Sequence, residues 1–274
     1  MQGVRFLSLL LILVVVNSFV NGGEASLNPI AAAAERTESA PGVRFTMKAT
    51  YTGAGLAQPV VAHGEGARNS QTGRSRAVLS VEVPQVPNRI EVESISDGTS
   101  VYMRGSTFGS ELPDGKEWMR IEPFLGHSES EAMLGGGDAD SSLQMLGSAG
   151  DVERLGTEQV DGRSTTRYRA VVDLDNYADA LREEGKDEMA DLYEKYSEVA
   201  PDPAEVEAWV DSQKILRRMR MVMDIPTQPG APTLTMDMRV DFFDFGARPR
   251  IELPDPASVY DATPTLEREL DAAS

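Results

Sequence analysis

The amino-acid sequence predicts an α+β protein: a meander of about ten antiparallel strands with one buried face, accompanied by one long and one short helix. Three observations predict it. Apolar and polar residues alternate with period two in short segments from Val43 onward, Gly, Asp and Pro punctuate those segments at close intervals, and one stretch from Asp175 to about Tyr196 changes to a period of three to four.

Composition narrows the function classes. The 274 residues carry 44 acidic against 26 basic side chains, a net charge of −18, with two histidines and no cysteine. A field of that sign repels phosphate, so no nucleic-acid partner is expected. Disulfides, thiol chemistry and Cys-based zinc sites are excluded outright. An apolar content of 41% is enough for a real core.

Taken in order, the chain opens on Arg5 and an apolar run from Phe6 to Val20 broken only by Ser8, Asn17 and Ser18, then Gly22-Gly23-Glu24-Ala25. This is a secretory signal pattern with cleavage after Ala25, so residues 1–25 are read as a signal peptide and the protein as exported, either secreted or associated with the cell envelope outside the cytoplasmic membrane. The run is shorter than the roughly 20 apolar residues of a spanning helix. Kept uncleaved, it would give the protein a membrane association. Its removal takes Arg5 and Glu24 together and leaves the net charge at −18. Residues 26–42 read as a tether with a helical turn at Ala31 to Arg36, residues 43–262 as a single ligand-binding domain, and residues 263–274 as a flexible tail.

Strands are expected at 43–51, where Val43, Phe45, Met47, Ala49 and Tyr51 share a face, and at about 59–69, 74–83, 89–96, 99–104 and 117–121. Asp97-Gly98 is the strongest hairpin signal. Residues 124–142, with Gly135 to Gly137, read as a loop and a candidate lid; no Gly-Lys-Ser/Thr follows, and Asp138 and Asp140 would repel a phosphate. A short helix is expected at about Ser141 to Ala149, stopped by Gly150, then a hairpin of 152–160 and 164–174 turning at Asp161-Gly162. Asp175 caps the long helix, whose apolar stripe is Ala178, Leu181, Met189, Leu192 and Tyr196; Pro201 and Pro203 end it. Strands resume at 205–211, 215–225 and 233–243, and Ile251 to Ala262 reads as an irregular strap.

The last hairpin carries the most distinctive pattern. One face presents Ile215, Met219, Met221, Met223 and Ile225 on the first strand and Leu234, Met236, Met238, Val240 and Phe242 on the second, while Arg218, Arg220, Asp224, Asp237, Arg239 and Asp241 on the other can pair across strands. With Phe45 and Met47, and with Val101 and Met103 further along the meander, these apolar residues are the candidate ligand-binding lining. Methionine is unbranched and adaptable, so the stripe suits an apolar ligand of variable shape. It equally suits a packed core beneath the long helix. About ten strands offer more apolar face than two helices cover, so either the sheet curls on itself or a cavity remains.

No catalytic residue, cofactor or metal site is expected. His63 and His127 read as solvated side chains in loops, and no Gly-x-Ser-x-Gly, His-Glu-x-x-His or Walker pattern occurs. Trp118, Trp209, Tyr102 and Tyr168 suit a cavity mouth as well as ordinary packing.

The strand-turn-strand block from Gly150 to Asp173, the helix after it, and Val206-Glu-Ala-Trp-Val-Asp211 followed by Leu216-Arg-Arg-Met-Arg-Met221 resemble the LppX/LprAFG-type actinobacterial lipoproteins, of LolA/LolB-like architecture, over roughly Val43 to Ala262. The resemblance implies a half-barrel of antiparallel strands wrapped around helices. It also implies an apolar cavity that carries acyl chains of lipids or lipoproteins across the envelope, and with it a transport partner. Such lipoproteins bear a cysteine at the signal cleavage site, where this chain has Gly22 to Ser26, so a lipid anchor is not carried over. The expected function is therefore a non-catalytic extracytoplasmic carrier of lipid acyl chains; the alternative is an extracytoplasmic sensor or structural domain with a filled core and no ligand.

Overall fold

A computed structural model describes residues 29–84, 89–105, 112–121, 152–172, 204–225 and 233–265, and eight positions between 175 and 194. The signal segment, the loop at 124–142 and the helix expected at 141–149 lie outside the described residues, as does the tail beyond 265.

Twelve strands follow one helix: α1 (Pro29–Glu38), β1 (Gly42–Gly53), β2 (Val60–Asn69), β3 (Arg74–Glu82), β4 (Ile90–Ser96), β5 (Val101–Gly105), β6 (Trp118–Ile121), β7 (Glu153–Val160), β8 (Arg163–Val172), β9 (Ala204–Asp211), β10 (Leu216–Ile225), β11 (Leu234–Phe243) and β12 (Val259–Asp261). Eleven match segments expected from alternation. They form one sheet in the order β12-β6-β5-β4-β3-β2-β1-β11-β10-β9-β8-β7. The sheet is curved but not closed, since β7 and β12 are its two edges. Neighbours are antiparallel except β12, which runs parallel to β6. The β1–β11 pair is a seam between chain segments far apart in sequence, with Arg44 opposite Phe243 and Gly53 opposite Leu234.

Alternation explains the faces. In β1 the side chains of Val43, Phe45, Met47, Ala49 and Tyr51 are buried while Arg44, Thr46 and Lys48 are exposed. Register continues the buried face across strands: Met221 lies opposite Met238, Met238 opposite Ala49, Ala49 opposite Ala62 and Ala62 opposite Val81. This inner face holds the main core.

The outer face is polar and cross-linked. Arg218 pairs with Asp241 and Arg220 with Asp237 at 2.9 Å, as the alternation of charges in β10 and β11 predicts. Glu207 is also on this face and is only 2% exposed; it accepts from Arg167 Nη2 at 2.7 Å and from Arg169 Nη2 at 3.0 Å. The chain after β11 crosses this face as a strap. Asn69 Nδ2 donates to the Pro249 carbonyl, Arg74 Nη1 to that of Ile251 and Lys116 Nζ to that of Ala257, and Ile251 packs on Ile95 and Trp118. The strap is irregular as expected, save for one 3₁₀ turn at Pro256–Ser258 and strand β12, too short for a periodic signal.

Two expectations need correction. Residues 26–42 are more than a tether, because α1 spans ten residues and buries Ile30 and Ala33 completely. The long helix is not one straight helix. Arg182 pairs with Asp191 at 3.0 Å and with Glu194 at 2.6 Å, and all three are helical. Along a continuous helix those partners would be displaced by about 13 and 18 Å of rise, too far for both contacts.

Candidate functional site: the apolar inner face and its rim

The candidate lining residues fall on a single face, in two clusters. Phe45, Met47, Met219, Met221, Met236, Met238, Val240 and Phe242 belong to the main core, with Met223 packed against it. Val101 and Met103 belong to a second cluster with Val92, Met119 and Ile121. Half-buried Ile90 touches both, so the apolar surface is continuous from β9 to β6.

Its two ends differ. At the end where β1 begins and β11 finishes, Val43, Val210 and Leu216 are each 6% exposed or less, and α1 seals the corner by accepting the Leu216 N–H on Thr37 Oγ1 at 3.0 Å. At the opposite end, where β1 leads into β2 and β10 into β11, the inner face finishes in half-buried Val60, Val83, Ile90, Met223 and Leu234. These come from five separate strand ends, so the rim is a product of register and not of any local sequence.

The depth of the face is partly filled by the protein itself. Strand β2 turns Ala62, Gly64 and Gly66 inward, and neighbours lean over them. A Cβ on Gly66 would lie 2.3 Å from Phe45 Cζ, and one on Gly64 would lie 3.3 Å from both Leu79 Cδ1 and Met47 Cε. Phe45 and Met47 therefore pack against the sheet floor. The rung nearest the rim is different: Met223, Met236, Tyr51 and Val60 stand side by side with no glycine among them.

Tyr51 is the polar exception on this rung. It is 4% exposed and makes no hydrogen bond among the described residues, and burial pushes its phenol well above the ordinary value of 10.0. Sequence reasoning placed Tyr51 on the buried face but did not single it out.

The four aromatic residues considered for a mouth or for ordinary packing divide between the faces. Trp118, Trp209 and Tyr102 lie on the outer face, and only half-buried Tyr168 faces inward. Trp209 stacks between the Arg167 and Arg218 guanidiniums, 5.0 and 5.7 Å from its ring, and donates from Nε1 to Glu158 at 2.9 Å. His63 is not in a loop; it sits on the exposed face of β2 opposite Lys48. His127 is outside the described residues. A cleft of about 480 Å³ lies between the strap and β3–β4, lined by Arg76, Glu93, Ile95, Arg250, Ile251 and Glu252, and is charged and on the outer face. Among the described residues no group of three or more His, Asp or Glu is placed to hold a metal ion. No described helix is long and apolar enough to cross a membrane.

No family model and no curated protein matches the chain. Several solved structures resemble it. The lipoprotein LppX of Mycobacterium tuberculosis is 13% identical, with 82% of this chain and 96% of that chain covered and a TM-score of 0.48. LprF from Mycobacterium bovis is 14% identical, with 83% and 95% covered and a TM-score of 0.42. A putative outer membrane lipoprotein-sorting protein domain from Vibrio parahaemolyticus is 10% identical, with 80% and 93% covered and a TM-score of 0.30. At these scores the likeness is one of outline, and neither a ligand nor a partner passes from those proteins to this chain.

Proposed function

We propose that the protein is a non-catalytic, extracytoplasmic binder and carrier of lipid acyl chains. The supporting observation is the asymmetry of the inner face: sealed under α1 at one end, it finishes at the other in an apolar rim of Val60, Val83, Ile90, Met223 and Leu234. An acyl chain entering over that rim would lie along Met221, Met223, Met236 and Met238, whose flexible thioethers adapt to it. Val240, Phe242 and Met219 lie deeper, and Val101 and Met103 extend the surface toward β6. Each CH₂ removed from water contributes about 0.8 kcal/mol, so affinity rises with chain length. The signal pattern supports export, and a carrier of this kind requires a donor and an acceptor in the envelope.

One observation favours the alternative, a sensor or structural domain without ligand: Phe45 and Met47 already fill the space that Gly64 and Gly66 leave. Organic extraction of the purified protein followed by mass spectrometry separates the two readings, together with displacement of a fluorescent fatty-acid probe. Co-purified lipid and saturable displacement are expected. Absence of both overturns the carrier reading. Met223→Glu places a charge on the half-buried rim and is expected to lower probe uptake at least tenfold while leaving the circular dichroism spectrum unchanged.

A further inference from the structure

We infer that Tyr51 selects the polar end of the ligand: its hydroxyl donates a hydrogen bond to the carbonyl of an acyl group, so the preferred ligands are fatty acids or their esters and not bare hydrocarbon chains. The inference rests on the acyl-binding reading above and adds the chemistry of the group held near the mouth.

Tyr51 stands on the rung that borders the rim, between Met236 on β11 and Val60 on β2. A buried tyrosine hydroxyl ordinarily finds a partner, because leaving it bare forfeits the hydrogen bonds that water supplied. This one makes no hydrogen bond to a described residue, although the side chain is 96% buried by its 4% exposure. Its oxygen is not among the sealed, partnerless polar atoms of the described residues. Its described neighbours on the sheet are apolar: Met223, Met236, Val60 and Ala49 have no side-chain hydroxyl, amide or charge. A lone donor in an apolar wall, on the rung that carries the rim residues Val60 and Met223, matches an acyl ligand whose hydrocarbon passes inward and whose single carbonyl stays near the mouth.

The test compares wild type with Tyr51→Phe, using palmitate, methyl palmitate and hexadecane as competitors of a fluorescent fatty-acid probe. Tyr51→Phe removes one oxygen and keeps the ring that fills the rung. Weakening of about tenfold is expected for palmitate and its methyl ester, with hexadecane unchanged, in line with one buried hydrogen bond. Thermal stability should not fall, since the hydroxyl bonds nothing in the free protein. Equal affinities of both proteins for all three ligands, or equal losses for all three, overturn the role of Tyr51 while leaving the carrier reading standing. Failure of every ligand to displace the probe from wild type overturns both.

Discussion

Glu207 is a carboxylate that burial alone would push toward the neutral form, yet Arg167 and Arg169 hold it below its ordinary value of 4.5. A folded-state value below the unfolded one means stability that is present above about pH 4.5 and is lost as pH falls through the folded value. Glu93, beside Arg76 and Arg104, and Asp211, beside Arg217, are displaced in the same direction. The urea midpoint should therefore hold between pH 7 and pH 5 and fall below about pH 4. Glu207→Gln should cost about 1–2 kcal/mol at pH 7, since the arginines are themselves partly solvated, and should make the acid fall shallower; an unchanged acid limb would contradict this assignment. Gly66 makes a different point at this scale. Alternation places it inward, but nothing in a period of two says that the Phe45 ring and the Arg76 carbonyl, whose oxygen is 2.6 Å from where a Cβ would stand, occupy the space above it. Gly66→Ala should lower stability by about 1–3 kcal/mol, seen as a Tm several degrees down. Which face a residue occupies is legible in sequence; what covers that face is set by partners far along the chain.

Among the elements, α1 shows how little signal a packed helix needs to carry. Its described contact stripe is Ile30, Ala33 and Thr37, at spacings of three and four, inside an alanine-rich stretch that composition alone presents as a tether. Thr37 donates to the Ala33 carbonyl at 2.7 Å and accepts the Leu216 N–H, so it joins helix to sheet through one oxygen. Thr37→Val keeps the shape and removes that acceptor. Amide exchange at Leu216 should accelerate, with a loss of about 1–2 kcal/mol; unchanged exchange would show that α1 does not protect the start of β10. The 175–194 stretch misleads in the opposite sense. Its apolar period runs on across Gly185, so the sequence reads as one helix, yet Asp191 and Glu194 both converge on Arg182, which one straight helix would not allow. The strands were legible because each carries its own alternation, whereas β12 has three residues and depends on β6 for its identity.

Over the whole molecule, the count and place of eleven strands follow from local pattern, but their order does not. The meander β1 to β6 and the meander β7 to β11 are each contiguous in sequence, and the sheet exists as one object only through the β1–β11 seam. The rim is equally non-local, which is why the sequence placed Leu234 and the methionines of the last hairpin on one face but did not single out Val60 or Val83. The strap adds a second tie, fastening the C-terminal segment over β3 to β6. A chain ending at Phe243 would uncover Ile95 and Trp118, and its tryptophan emission should shift to the red with a broader, less cooperative melt; a spectrum like that of the full chain would show the strap to be dispensable.

The seam also sets a clock. Arg44 cannot meet Phe243 until nearly the whole chain is available, so the first strand formed must wait for almost the last before it has neighbours on both sides. Pairings of such long sequence separation place folding on the slow, millisecond-to-second end of the range. That delay keeps the two meanders apart while the chain is still being made, and joins them only once the C-terminal half has arrived.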